Sequence, residues 1–101
     1  MLYPAPGTEG SKIQVAEKYG NWINGKDVAP HKGQYADNPT PVTGKPFTKF
    51  AQSTPEDIET ALDAAHAAQP RWAELSPSRR AVILNKVADA IEEHLEELAV
   101  A

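Results

Sequence analysis

An α+β fold class is predicted for this chain, two short β-hairpins followed by two helices, and three observations predict it. Trp22-Ile23 and Val28 flank an Asn24-Gly25 pair, and Asn-Gly accepts positive φ at both corners of a two-residue hairpin. The run "NPTPVTGKPFTKF", residues 38–50, couples three prolines and a Thr43-Gly44 reversal to a short extended segment. From residue 53 onward, apolar residues recur three and four apart behind Thr-Pro and Ser-Pro starts, which is the period and the entry signal of helices. Strands first and helices afterwards is the segregated order of an α+β arrangement.

Taken in chain order, residues 1–19 read as a flexible arm, because "MLYPAPGTEGS" holds two prolines and two glycines and little to bury. Residues 20–52 read as extended hairpins. The first is centred on Asn24-Gly25. The second pairs Gln34–Asn38 with Phe47–Ala51, and its prolines, which cannot donate to a ladder, assign both strands to an edge. Pro39 and Pro41 push the residues before them toward extended geometry, so residues 38–42 are expected to run straight into the turn.

Residues 53–101 read as two helices. Ser53 with Glu56, or Thr54 with Asp57, forms a capping box before a helix running from about Pro55 to Ala68, where Pro70 is expected to close it. Ile58, Ala61, Leu62 and Ala65 give that helix a narrow face of mostly small side chains. Ser76 caps a second helix with Pro77 in its first turn, and Val87, Ala88, Ile91, Leu95 and Leu98 continue its apolar stripe. Past Ala88 no Gly, Asn or Pro stops that helix, and Glu92, Glu93, Glu96 and Glu97 crowd the end where the dipole prefers cations. The second helix is therefore expected to have no end within the chain.

With 101 residues the chain is at most one domain, able to bury roughly 65% of its unfolded surface. Its formal charge of -4 disfavours nucleic-acid binding, which rests on clustered Lys and Arg. The absence of cysteine removes disulfides, thiolate metal sites and a cysteine nucleophile from these residues. No basic start followed by an apolar block is present, and no apolar run approaches the roughly 20 residues that span a bilayer, so a cytoplasmic chain without membrane contact is expected.

The residues yield no catalytic, cofactor-binding or metal site. His31, His66 and His94 lack metal-ligand spacing. The i,i+4 pairs Glu92/Glu96 and Glu93/Glu97 have no Glu-x-x-His partner and read as a solvated acidic face. "GTEGSK", residues 7–12, lacks the spacing of a phosphate loop. Arg71, Arg79, Arg80 and Lys86 read as salt-bridging rather than anion-binding residues. Trp72 reads as a packing plug between the helices rather than a stacking platform.

The succession "NWINGKDVAP", "GQYADNPTPVTGKPFTKFAQSTPEDIETALDAAHAA", Trp72 and "SPSRRAVILNKVADAIEEHLEELA" resembles the N-terminal segment of NAD(P)-dependent aldehyde dehydrogenases, from about Gly20 to the last residue. The leading "YPAPGTEG" is similar to the bacterial branch acting on acetaldehyde and other small aliphatic aldehydes. The resemblance implies the N-terminal part of an α/β fold, in which the hairpins of residues 20–52 are of the oligomerisation-arm type, beside tetramerisation elements, and residues 53–101 are the first helices of an incomplete coenzyme-binding domain. It implies that an intact relative holds NAD or NADP, attacks the aldehyde with a cysteine thiolate, and hydrolyses the thioester with glutamate-activated water. The positions carrying that cysteine, glutamate and nicotinamide-facing glycines have no counterpart here. An inactive fragment without a cofactor of its own is therefore expected, its partners being the remainder of the subunit or other subunits of a homo-oligomer. The alternative is a non-catalytic interaction module that docks on dehydrogenase subunits through a hairpin edge.

Overall fold

The computed structural model describes residues 3–101. Met1 and Leu2, the start of the expected arm, lie outside the described residues. Five strands precede three helices: β1 Lys18–Tyr19, β2 Asn21–Ile23, β3 Lys26–Val28, β4 Tyr35–Pro39, β5 Pro46–Ala51, α1 Pro55–Glu74, α2 Pro77–Glu93 and α3 Leu95–Val100. By their contacts the described residues group into two compact units, one of residues 16–68 and one combining residues 3–15 with 69–101. This division follows different lines from the sequence segments 1–19, 20–52 and 53–101.

In the 16–68 unit, β2 and β3 form the expected hairpin, with Asn21 opposite Val28 and Ile23 opposite Lys26. Asn24 at φ 53° and Gly25 at φ 77° put both corners in the left-handed region that a primed two-residue turn requires. Gly20, just ahead of β2, is needed for space. A Cβ there would lie 2.7 Å from the Val28 carbonyl oxygen and closer still to the Asp27 carboxylate. Because the Val28 oxygen belongs to the paired strand, it cannot rotate away as a side chain could. Gly20→Ala is expected to cost about 1–3 kcal/mol, the range for forcing extra carbon into a filled space; loss of amide-exchange protection at Asn21 and Val28 would register it.

The second sheet has the order β1-β5-β4, with β5 in the centre. This corrects the expectation that both strands of the second hairpin sit at an edge. β4 pairs antiparallel with β5 as expected, but Lys18–Tyr19, at the end of the expected arm, add a parallel strand on the other side of β5. Two features allow a proline-bounded strand to be central: Pro46 occupies its first position, and the Lys49 N–H, which a proline would lack, donates to the Glu17 carbonyl at 3.0 Å. Thr48, buried, donates its hydroxyl to the Ala16 carbonyl at 2.8 Å and fastens the same segment. Lys18 and Lys49 stand side by side in register, yet Lys18 lies over the Tyr35 ring, 4.7 Å from its centroid, while Lys49 reaches toward Asp37 at 4.0 Å. Each cation thus has its own partner.

The prolines leave their mark at the far end of this hairpin. The register slips between Asn38, opposite Thr48, and Pro39, opposite Pro46. Neither proline has an N–H for the ladder, so the pairing bulges there. The turn then opens at Pro41 rather than after a straight run to Val42, and it is closed by Thr40 N–H to Lys45 O at 2.9 Å and Gly44 N–H to Thr40 O at 2.8 Å.

The first helix begins at Pro55 as expected but runs through Pro70 to Glu74. Proline's φ is already helical, and what it forfeits is one N–H, the one that would reach the His66 carbonyl. The helix loses one bond and continues. Contacts nevertheless divide the two units between Ala68 and Gln69, just before that proline.

In the other unit, Ser76 caps α2, its hydroxyl accepting the Arg79 N–H at 3.3 Å, and Pro77 is the first helical residue. The expected endless helix does have a break: α2 stops at Glu93, His94 leaves helical geometry at φ -106° and ψ 20°, and α3 restarts at Leu95. No glycine or proline marks the break. Glu92 and Glu93 end α2, where the dipole disfavours carboxylates, whereas Glu96 and Glu97 fall in the first turn of α3, where carboxylates are favoured. His94 Nδ1 lies 3.0 Å from the Glu97 carboxylate across the break. Lys12 pairs with Glu96 in the same unit; this bond to the carboxylate raises its pKa above the ordinary lysine value.

Neither unit has a developed core. Among the described residues, Ile23 is the buried large hydrophobic side chain, and none is fully enclosed. The described chain is nonetheless an α+β assembly of short strands and helices, consistent with part of an aldehyde dehydrogenase domain of the kind the resemblance implies.

Candidate functional site

The polar features of the 16–68 unit converge on the start of α1. Asp57, 7% exposed, accepts the Thr54 N–H at 2.8 Å and the Thr54 hydroxyl at 3.3 Å on Oδ2. Its Oδ1 accepts the His31 N–H at 2.8 Å from the loop after β3. One carboxylate therefore closes the helix N-terminus and ties a loop 26 residues upstream to it. Of the two expected capping pairs, the Thr54-Asp57 pair provides the carboxylate that reaches back to the cap. The Thr54 amide, then the His31 amide and Thr54 hydroxyl, hold the Asp57 carboxyl below its ordinary pKa against the opposing effect of burial. Glu56 is also lowered, chiefly by hydrogen bonding to Thr54.

Ser53 is used differently from the expected cap. Asn21 Nδ2 donates to the Ser53 hydroxyl at 2.9 Å, and that hydroxyl lies 3.1 Å from Asn21 Oδ1, so the start of β2 is fastened to the residue before the cap. Among the described residues every buried side-chain polar atom has a partner. Such a satisfied node organises structure and leaves no free group for chemistry.

Beside this node the first hairpin and α1 enclose an open groove of about 550 Å³, lined by Trp22, Ile23, Asn24, Gly25, Ala61, Ala64, Ala65 and Ala68. A smaller recess of about 180 Å³ adjoins it, reaching Ser53 and Asp57. The alanines fall at i, i+3, i+4 and i+7 along α1, one face of a helix. Trp22 is 76% exposed above them.

The remaining sequence features stay apart. Among the described residues no group of three or more His, Asp or Glu side chains could hold a metal ion. His31 contributes its backbone N–H to the node, while His94 faces Glu97. Trp72 lies inside the last turn of α1, not beyond its end, and is 39% exposed. The capping pair was readable from the sequence; the His31 bond and the Asn21-Ser53 pair were not, since no spacing rule joins residues so far apart.

The profile of the aldehyde dehydrogenase family matches residues 28–101, which includes β4, β5 and all three helices. The chain belongs to the aldehyde dehydrogenase family. It is 54% identical over 100 residues to a fluoroacetaldehyde dehydrogenase of Streptantibioticus cattleyicolor, covering 99% of this chain and 20% of that protein. It is 52% identical over 100 residues to an acetaldehyde dehydrogenase of Pseudomonas aeruginosa, with 99% and 20% covered. To a long-chain-aldehyde dehydrogenase of an Acinetobacter species it is 52% identical over 101 residues, covering 100% of the chain and 20% of the relative. This aldehyde dehydrogenase chain thus spans about one fifth of the length of the curated relatives it matches. The node and the groove are consequently features of a family segment.

Proposed function

We propose that these residues are the N-terminal segment of an aldehyde dehydrogenase subunit that oxidises small aliphatic aldehydes to carboxylic acids with NAD or NADP, and that the chain alone is inactive. The observation that carries this reading is the match of nearly the whole chain, at about half identity, to bacterial dehydrogenases of aldehydes. The relatives are named for both short and long aldehydes, and the small-aldehyde assignment follows the acetaldehyde and fluoroacetaldehyde enzymes. Inactivity follows from composition: the family's thiolate chemistry needs a cysteine, and none is present in the sequence. No residue here is assigned to the coenzyme, which would accept hydride in the intact subunit. We place the segment's work in assembly, its partners being the rest of a homo-oligomeric, cytoplasmic enzyme. In the described helices none is long and apolar enough to cross a membrane.

A chimera tests the reading. The matching fifth of the Pseudomonas aeruginosa acetaldehyde dehydrogenase is replaced by this chain, and acetaldehyde-dependent reduction of NAD or NADP is measured beside the chain alone. The chimera is expected to be active and the isolated chain silent. A soluble, folded chimera without activity would overturn the assignment, and activity in the isolated chain would overturn its inactivity.

The outer edges of β4 and of the β2–β3 pair, unpaired among the described residues, favour a second reading, a module that adds a hairpin edge to separate dehydrogenase subunits. Stoichiometric co-purification with an intact relative would select it; elution apart from that relative would reject it.

A further inference from the structure

We propose that Asn24, at the corner of the first hairpin, is a site of spontaneous covalent modification, where the Gly25 amide displaces ammonia from the side chain and water then opens the ring. Asn24 and Gly25 are both exposed. The hydrogen bonds of a two-residue turn run between the residues that flank it, here the paired Ile23 and Lys26, so the ladder does not use the Gly25 N–H. Among the described residues that N–H makes no turn hydrogen bond either. A Cβ at Gly25 would meet nothing within 4 Å, so this peptide has room to turn. Ring closure needs the Gly25 nitrogen eclipsed with the Asn24 Cβ, which sets the Asn24 ψ at about −120°, the value that corner takes in a type II′ turn. The observed φ values, 53° and 77°, are those of a type I′ turn. Both primed turns have positive φ at the first corner, and both suit the hairpin twist. Passing from one to the other needs only a flip of the Asn24–Gly25 peptide, which carries residue 25 from positive to negative φ, and glycine accepts both signs alike. The strands stay paired while the reactive geometry forms.

The chemistry balances with water as the sole co-reactant. Hydroxide takes the Gly25 amide proton, the nitrogen adds to the Asn24 side-chain carbonyl carbon, and the bond from that carbon to the side-chain nitrogen breaks, releasing ammonia as the departing nitrogen gains a proton. Water then adds to one of the two carbonyls of the cyclic imide. Opening on the side-chain side gives aspartate; opening on the main-chain side gives isoaspartate, whose main chain passes through Cβ. Either product adds a negative charge to a chain of net charge -4. Aspartate suits the same turn, but the extra main-chain carbon of isoaspartate no longer fits a two-residue loop. The remaining asparagines lack the geometry. Asn38 precedes Pro39, which has no N–H to attack with. Asn85 lies within α2, whose backbone holds the next N–H in the helical ladder. Asn21 lies in β2 with its side chain bound to Ser53.

The experiment uses the full-length chimera described above, kept folded in mildly alkaline buffer made with heavy-oxygen water. Peptide mass mapping follows each asparagine, and labelling by an isoaspartyl methyltransferase detects isoaspartate; the chain itself, assayed alike, serves should the chimera not fold. The expected result is conversion of Asn24 to an acid that carries one heavy oxygen, part of it isoaspartate. It should run at least about ten-fold faster than at Asn21, Asn38 or Asn85, the scale on which held geometry separates reactive from unreactive groups. Equal rates at every asparagine would overturn the proposal. So would an intact Asn24, or conversion seen only after urea is added, since the folded turn would then be protecting the residue. Asn24→Gly keeps a primed turn and lacks the reactive amide. Amide-exchange protection at Asn21 and Val28 is expected to fall in the aged parent and to hold in the aged variant. The same fall in both, or none in either, would overturn the loosening of the hairpin by isoaspartate. Mass and exchange are read without activity, so a folded but inactive chimera removes the catalytic assignment alone, and an active one with Asn24 intact removes only this inference.

Discussion

Asp57→Ala will detach the loop after β3 from the first helix, and the His31 amide will exchange with solvent about ten-fold faster or more. The expectation follows from the number of groups that one carboxylate serves. Asp57 accepts from the Thr54 amide, the Thr54 hydroxyl and the His31 amide, and it is 7% exposed, so water has little access to replace it. Truncation leaves two backbone donors without acceptors at once, one at the helix N-terminus and one in the loop. Asp57→Asn separates charge from shape: its single carbonyl oxygen can serve one donor direction, so exchange should rise at either Thr54 or His31 and less at the other. Equal, unchanged protection at both amides in both variants would show that the node does not hold the loop.

The same node sets a pH dependence whose sign is fixed by its hydrogen bonds. Donors to the ionised carboxylate hold the folded pKa of Asp57 below its ordinary value. A carboxyl lowered in this way contributes stability that is present above its unfolded pKa and lost as pH falls through the folded one. Protection of the His31 amide, corrected for intrinsic exchange, should therefore hold at neutral pH and begin to decline below about pH 4, where an ordinary aspartate protonates. The aspartate-to-asparagine variant lacks that acid limb. Glu56, lowered for a related reason, acts in the same direction, so comparison with Glu56→Gln separates the two contributions.

Much of the 16–68 unit was legible because its signals are local. Asn24-Gly25 specifies both positive φ values by chemistry, and Thr54-Pro55 opens the helix where the structure opens it. The misreadings came where a local rule met a distant partner. Pro46 and its neighbours announced an edge strand, yet a proline at the first position of β5 leaves later N–H groups free, and Lys49 spends its own on residue 17. Pro70 announced a helix end, but a stop signal acts by removing one hydrogen bond, and a long helix retains enough others to continue. At His94 the reverse holds: the helix breaks where no glycine or proline stands, between Glu92-Glu93 at the end of α2 and Glu96-Glu97 in the first turn of α3. The groove was half legible, since the small-residue face of α1 shows in the periodicity whereas the hairpin that walls it is reached only through the fold.

The second large effect concerns α2, and it should appear in one context and vanish in another. Leu84, Val87 and Ile91 are each more than half exposed, as are Leu95 and Leu98 in α3. Burying a leucine fully is worth about 1.5–3 kcal/mol, so a stripe left open forgoes most of that stabilisation at every position. Leu84→Ser and Ile91→Ser in the isolated chain remove side chains that are 61% and 51% exposed, and each should change stability by less than about 1 kcal/mol. In the chimera, where we expect the body to cover the stripe, the same changes leave a void and a buried hydroxyl, for a loss of about 3–5 kcal/mol each. Thermal unfolding of both proteins with both variants makes the comparison. Small effects in the chimera would mean that the stripe faces water even in the complete enzyme, and large effects in the isolated chain would mean that its helices already bury it. The contrast therefore tests incompleteness itself, because a propensity difference between leucine and serine acts equally in both proteins and cancels, leaving only the packing that the additional chain supplies.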